Sequence, residues 1–181
     1  MDRQAALALM QERLKNKNLR KHVLAVAAVM KRLAPRFGGD PAVWETAGLL
    51  HDLDYEETLK DPERHGLLSA EWLREKGVAA EIIAAVLAHA NKAPRDVPLN
   101  RAAYCADPVT GLLVACALIH PDKKLGSIDV PFVLNRFKEK RFAAGADRER
   151  IRACAEMGLS LEEFLGEALA AMQGIAGELG L

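Results

Sequence analysis

Residues 48–55 read Gly-Leu-Leu-His-Asp-Leu-Asp-Tyr. The apolar run from Ala47 to Leu50 ends on His51 and Asp52, and a third polar group, Asp54, follows. Neighbouring helical positions are about 100° apart around the axis, so His51 and Asp52 lean toward one point beside a helix. A neutral imidazole and a carboxylate at one point suit a divalent transition metal. A His-Asp pair also arises by chance in roughly one chain in five of this length at average composition. Its meaning therefore depends on what the rest of the chain brings to it.

Working outward, Asp40-Pro41 opens the helix that carries the pair, a capping side chain followed by proline at the first helical position. Upstream, Val23, Val26, Met30 and Leu33 form one stripe of a helix over about Leu19 to Phe37, which Gly38-Gly39 ends. Before a break at Asn16 and Asn18, residues 2–15 read as an amphipathic first helix. Downstream, Asp61-Pro62-Glu63 repeats the opening signature and predicts a helix from about 62 to 76, closed by Gly77. Further helices are expected over 79–91, 99–119, 132–142 and 147–157, and from the capping box at Ser160 and Glu163 to about 179. Pro108 predicts a kink near Asp107. Residues 91–98 and 122–131 read as loops. No run alternates with period two, so no strand is expected. The fold class is all-α: one domain, with a core of about 18–120 and a C-terminal helical extension of about 122–181.

Composition agrees with this. Half of the 181 residues are hydrophobic and only 5% aromatic, a balance that favours helices over strands. Lys+Arg and Asp+Glu both number 25. Zero net charge argues against an electrostatically driven binder of long nucleic acid or of a membrane. Cys105, Cys116 and Cys154 are an odd number without C-x-x-C spacing, and read as free thiols in a reducing compartment. The opening residues lack the apolar run of a signal peptide, and no stretch of 18 uninterrupted apolar residues occurs. The expected location is cytoplasmic.

Other polar residues share apolar faces with their neighbours. His22 aligns with Val26, Val29 and Leu33; His65 with Leu68, Ser69 and Trp72; His89 follows Ile82 and Val86. Asp107 sits in Ala-Ala-Tyr-Cys-Ala-Asp-Pro-Val, where an unpaired carboxylate is costly. A single inward histidine is most simply a hydrogen-bonded core residue. Four histidines and two acids inside one helical bundle point instead to a metal site.

The order His22, His51-Asp52, Asp107 follows the pattern H…HD…D, and over roughly residues 18–120 the chain resembles the HD-domain superfamily of metal-dependent phosphohydrolases. The small-residue helix after His65-Gly66 and the Ala106-Asp107 step are further points of likeness. The resemblance implies an HD-domain-like helical bundle in which His22, His51, Asp52 and Asp107 hold one divalent metal. It also implies that His65 and His89 stand where two-metal members place extra ligands, with Asp52 bridging the ions. The chain departs from the pattern at Ala90, where many two-metal members carry a second histidine. It lacks the Gly-Tyr-Pro signature of the cyclic-dinucleotide-cleaving branch. The segment after Asp107 is similar to a small stand-alone bacterial (HDIG-like) subgroup, for which the resemblance supplies no substrate.

The expected cofactor is one or two divalent transition-metal ions, Fe, Mn, Ni, Co or Zn, because His and carboxylate ligands suit these better than Mg or Ca. Such an ion activates water and polarises a phosphoryl oxygen. The expected reaction is therefore hydrolysis of a phosphate ester, in a nucleotide or another small phosphorylated metabolite, with Asp52, His65 and His89 as the catalytic group. With one ion, His65 and His89 become candidates for protonating the leaving group or binding phosphate. Lys21, Lys92 and Arg95 are the candidate phosphate-binding cations. Asp54 reads either as orienting a ligand or as a turn residue. Two alternatives stand beside the hydrolase: a non-catalytic metal- or nucleotide-binding sensor, and a di-iron oxygenase-type enzyme. The expected partner is a small phosphorylated substrate, with no long nucleic acid and no membrane, and a homodimer is left open.

Overall fold

In the computed structural model, which describes residues 1–181, eleven α-helices and four short 3-10 turns follow one another without a strand. The helices are α1 (Arg3–Arg13), α2 (Lys17–Leu33), α3 (Pro41–Leu50), α4 (Tyr55–Thr58), α5 (Leu67–Glu75), α6 (Ala80–His89), α7 (Pro98–Ile119), α8 (Val130–Lys138), α9 (Arg148–Arg152), α10 (Leu161–Gly174) and α11 (Ala176–Leu179).

Most starts are set locally. Asp2, Asn16, Asp40, Asp129 and Asp147 each accept a hydrogen bond from backbone amides in the first turn of their helix, and Ser160 with Glu163 closes a capping box. Each satisfies donors that a helix leaves without an internal partner. Because Asn16 is a cap, α2 begins at Lys17 rather than Leu19. It ends at Leu33, where the Ala34–Phe37 stretch containing Pro35 tightens into a 3-10 turn.

The expected helix over 62–76 is divided. Pro62–Arg64 forms a 3-10 turn, His65 leaves helical geometry with ψ 132°, and Gly66 at φ +80° precedes α5. Asp61 makes no side-chain cap. The opening amides of this region are taken instead by Asp54 Oδ2, at 2.8 Å from Gly66 N and 3.0 Å from Ser69 N. His65 is therefore a turn residue, not a member of the Leu68, Ser69 and Trp72 stripe. Likewise, the 132–142 expectation resolves into α8 and an irregular segment after Lys138, the 147–157 expectation into α9 and a 3-10 turn, and the terminal helix breaks at Ile175.

Pro108 does not end α7, which runs on as one helix. Proline has no N–H for the carbonyl four residues back, and that carbonyl, Tyr104 O, accepts from Arg150 Nη2 at 3.2 Å. By length and composition α7 is the one helix apolar enough to cross a membrane, but 61% of its apolar window is buried against neighbours. It is the central helix, packed by α2, α3, α6, α8, α9 and α10. One cluster of 48 buried apolar residues runs from Ala6 to Leu179, so α8 to α11 share the core with the earlier helices.

Helices α2 and α3 approach closely at Gly48. A Cβ on Gly48 would lie 2.5 Å from Ala27 Cα and 2.7 Å from Ala27 N. Gly48 thus lets two backbones touch, and it does so one turn from His51, facing the helix that carries His22.

Candidate metal centre

Six side chains from five parts of the chain meet at Asp52. His22 comes from α2, His51 and Asp52 from the end of α3, His65 from the turn before α5, His89 from the last position of α6 and Asp107 from the middle of α7. Asp52 lies one residue beyond the α3 cap, His51, so the pair ends the helix rather than lying within it. The carboxylate of Asp52 divides the cluster into two halves. Its Oδ2 is 3.5 Å from His22 Nε2 and 3.4 Å from His51 Nε2, and Asp107 Oδ1 is 3.2 Å from His22 Nε2. Its Oδ1 is 3.4 Å from both His65 Nε2 and His89 Nε2. Donor atoms of His22, His51 and Asp107, and of His51, Asp52 and His89, lie within 4.8 Å of one another.

All four imidazoles are held from behind through Nδ1. His51 Nδ1 donates to Gly48 O at 2.8 Å, and His89 Nδ1 donates to Val86 O. His65 Nδ1 donates to Asp54 Oδ1 at 3.0 Å. Thr110 Oγ1 gives its single hydrogen to Asp107 O at 2.9 Å and so accepts from His22 Nδ1 at 3.1 Å. Carbonyls only accept, so Gly48 and Val86 assign the Nδ1 proton to His51 and His89 and leave the Nε2 lone pair of each neutral ring free, and the partners of His22 and His65 favour the same tautomer. Outer partners of this kind orient metal-binding histidines and raise their basicity.

Two observations test whether a cation suits the cluster. His51 Nε2 is buried without any hydrogen-bond partner, which is costly for a polar atom. His65 Nε2 and His89 Nε2 face each other at 3.1 Å, and two such nitrogens repel when both are bare, so the pair needs a proton or a metal ion between them. The residues fit a divalent transition metal, and the imidazole-rich donor set favours such ions over Mg or Ca.

The electrostatics agree. Burial alone would raise the pKa of Asp52 and Asp107, but the surrounding imidazoles outweigh it, His51 foremost for Asp52 and His22 for Asp107, and both carboxyls are held well below the ordinary range. Burial pushes His51 down to about 4, against the pull of Asp52, so it is neutral as a ligand must be. For His22 and His65 burial acts downward too, but Asp107 and Asp54 respectively overcome it and raise both.

A cleft of about 640 Å³ opens onto the cluster, lined by His22, Asp52, His65 and Asp107 along with Tyr55, Pro108 and the small residues Ala143, Gly145 and Ala146. The three cations proposed for phosphate do not line it. Lys21 Nζ sits near Gly180, where a Cβ would be 2.9 Å away. Lys92 pairs with Glu63 at 3.0 Å. Arg95 lies over the Tyr104 ring and approaches Glu156 at 3.7 Å. The cation in the cleft is Arg150, whose Nη2 bonds Asp107 Oδ2 at 2.8 Å. Sequence reasoning missed it; the only available signal was that Pro108 leaves a carbonyl in need of a donor, which does not say which residue supplies it. Thr110 was missed as well. Ala90, where a second histidine was absent, packs on the His65-Gly66 turn: a Cβ on Gly66 would be 2.8 Å from Ala90 Cβ.

Asp54, fully buried, turns out to orient His65 and to cap α5 at once. Replacing it with alanine leaves three donors without acceptors, at about 1–3 kcal/mol for a buried unsatisfied group. Asp54→Ala is expected to lower unfolding free energy by about 3 kcal/mol, and to weaken metal binding on the His65 side about 10- to 100-fold. Denaturant melts and a calorimetric metal titration read the two effects; wild-type values in both would refute this role.

The family model of the HD domain matches residues 19–120. The match is more than half of the 181 residues and contains all six side chains of the cluster, but not Arg150.

Proposed function

Because this chain belongs to the HD-domain family, we propose that it is a metal-dependent phosphohydrolase that cleaves a phosphate ester of a nucleotide or another small phosphorylated metabolite. The observation that carries the reading is Asp52, which turns one carboxylate oxygen to His22 and His51 and the other to His65 and His89. His22, His51, Asp52 and Asp107 would hold one divalent ion, and His65 and His89 with Asp52 would hold a second where two bind. Bound there, Mn, Fe, Co, Ni or Zn would supply Lewis-acid polarisation of a phosphoryl oxygen and activation of water.

The chain's own residues do the rest. Asp52 and Asp107 stay ionised and His51 stays neutral, so the site is pre-formed for cations. The cleft admits substrate only along the His22, Asp52, His65 and Asp107 side; His51 and His89 are each 1% exposed and face no solvent. If one ion binds, His65 is the better placed proton donor of the pair, since its ring lines the cleft and Asp54 supports its charged form. A cytoplasmic enzyme acting on soluble metabolites is consistent with this reading.

The test is a screen of nucleotides and sugar phosphates with protein reconstituted separately with Mn, Fe, Co, Ni and Zn. Hydrolysis by at least one loaded form, lost on chelation, is the expected result. One or two bound equivalents of metal with no ester cleaved in any form would overturn the hydrolase; oxygen uptake with an organic co-substrate would replace it with an oxygenase.

A further inference from the structure

We propose that Arg150, carried by the C-terminal segment, binds the phosphoryl group that enters the metal cleft. The inference rests on the hydrolase reading for the chemistry of the ligand, but its geometry is independent of it.

Arg150 is the only cationic side chain other than histidine that lines the cleft. It is 22% exposed and held firmly. A single nitrogen, Nη2, serves Asp107 Oδ2 at 2.8 Å, His89 O at 3.1 Å and Tyr104 O at 3.2 Å, and the guanidinium carbon is 4.7 Å from the centre of the Tyr104 ring. These contacts account for one arm of the fork. Nη1 makes no hydrogen bond within the protein, and Nε is buried without a partner. A merely structural arginine, present to satisfy the carbonyl freed by Pro108, would need only the arm that is already occupied.

Charge points the same way. A guanidinium is permanently cationic and its fork matches phosphate oxygens. Placed against Asp107, it opposes the binding of further cations at the cluster, and so weakens what the six ligands are arranged to do. An anionic ligand beside the guanidinium would remove that conflict. The segment before α9 leaves room for it. Arg148 donates to the carbonyls of Phe142, Ala143 and Ala146 at 2.6–2.7 Å, and the wall so held, through Gly145, presents no bulky side chain to the cleft.

Inorganic phosphate is the probe. It is titrated calorimetrically into Mn-loaded wild type, Arg150→Gln and Arg150→Lys, with metal content and helicity measured on each sample. Wild type is expected to bind phosphate, and Arg150→Gln to bind it about 10- to 100-fold more weakly at unchanged metal content, the loss expected for a charge-assisted hydrogen bond. Arg150→Lys, which keeps the charge but not the second arm, is expected to fall between the two, and it decides the matter if the glutamine variant does not fold. Wild-type phosphate affinity in whichever variant keeps its helicity and metal overturns the assignment. So does a wild type that binds no phosphate, or a variant that loses metal and phosphate together, which would make Arg150 a support for Asp107 alone. A protein that binds phosphate through Arg150 yet cleaves no ester would sink the hydrolase and leave this assignment standing.

Discussion

Asp52→Ala is expected to emptied the centre of metal and to lower any phosphate-ester hydrolysis about a thousandfold or more, a loss of roughly 4 kcal/mol of transition-state stabilisation at 1.36 kcal/mol per decade. The size follows from its position. Asp52 is the one residue whose two oxygens face both halves of the cluster, within 3.4–3.5 Å of all four imidazoles. Without it, four imidazoles converge with Asp107 as the one carboxylate left among the six side chains. His22→Ala, by contrast, removes a ligand of the first half only and is expected to spare metal held by His65 and His89. Elemental analysis of protein purified without chelators reads both variants, with circular dichroism to show that the helices persist. Wild-type metal in Asp52→Ala would exclude the two-sided role. No metal in wild type, even after reconstitution, would make the inward histidines core residues.

The second large effect concerns packing. Glycine to alanine inside a helix ordinarily stabilises by about 1 kcal/mol, and Gly48 lies inside α3. Here the sign is expected to reverse. The new methyl would stand 2.5 Å from Ala27 Cα, and backbone, unlike a flexible side chain, cannot rotate away. Overpacking of this kind costs about 1–3 kcal/mol and occasionally more, so Gly48→Ala is expected to lose about 1–2 kcal/mol net of the helical gain. For a chain of this size that is roughly 2–8 °C in Tm. Parting α2 from α3 also parts His22 from His51, so the first half of the centre should lose metal affinity in the same variant. An unchanged or higher Tm would show that the two helices can separate without cost.

Both predictions start from the same eight residues, and they show where sequence reading stops. His51 and Asp52 are legible as a polar pair ending an apolar run, and His22, His89 and Asp107 as inward polar groups, because each is set against apolar neighbours at helical spacing; His65 joins them from a turn, not from the helical stripe that its spacing suggests. Asp40, Asp147 and Ser160 are legible as helix starts because a cap acts on amides two or three residues away. The break at His65-Gly66 is not legible, since its cap is Asp54, 12 residues upstream of Gly66. The spacing of Asp61-Pro62-Glu63 imitates a helix start, yet the side chain of Asp61 makes no capping bond.

Charge was harder to read than ligation. Lys21, Lys92 and Arg95 are near ligands along the chain but are turned to Gly180, Glu63 and Tyr104. The cation beside the centre is 43 residues from the acid it contacts, and Thr110 is 88 from the histidine it orients. By itself the sequence determined the helical class, most helix starts and the inward placing of His22, His51, Asp52, His89 and Asp107, which follow from periodicity and short-range hydrogen bonding. The tertiary structure alone decided the division of Asp52 between two halves, the tautomers behind it and the arrival of Arg150. Those depend on where separately folded helices come to rest against one another, and no local spacing encodes that distance.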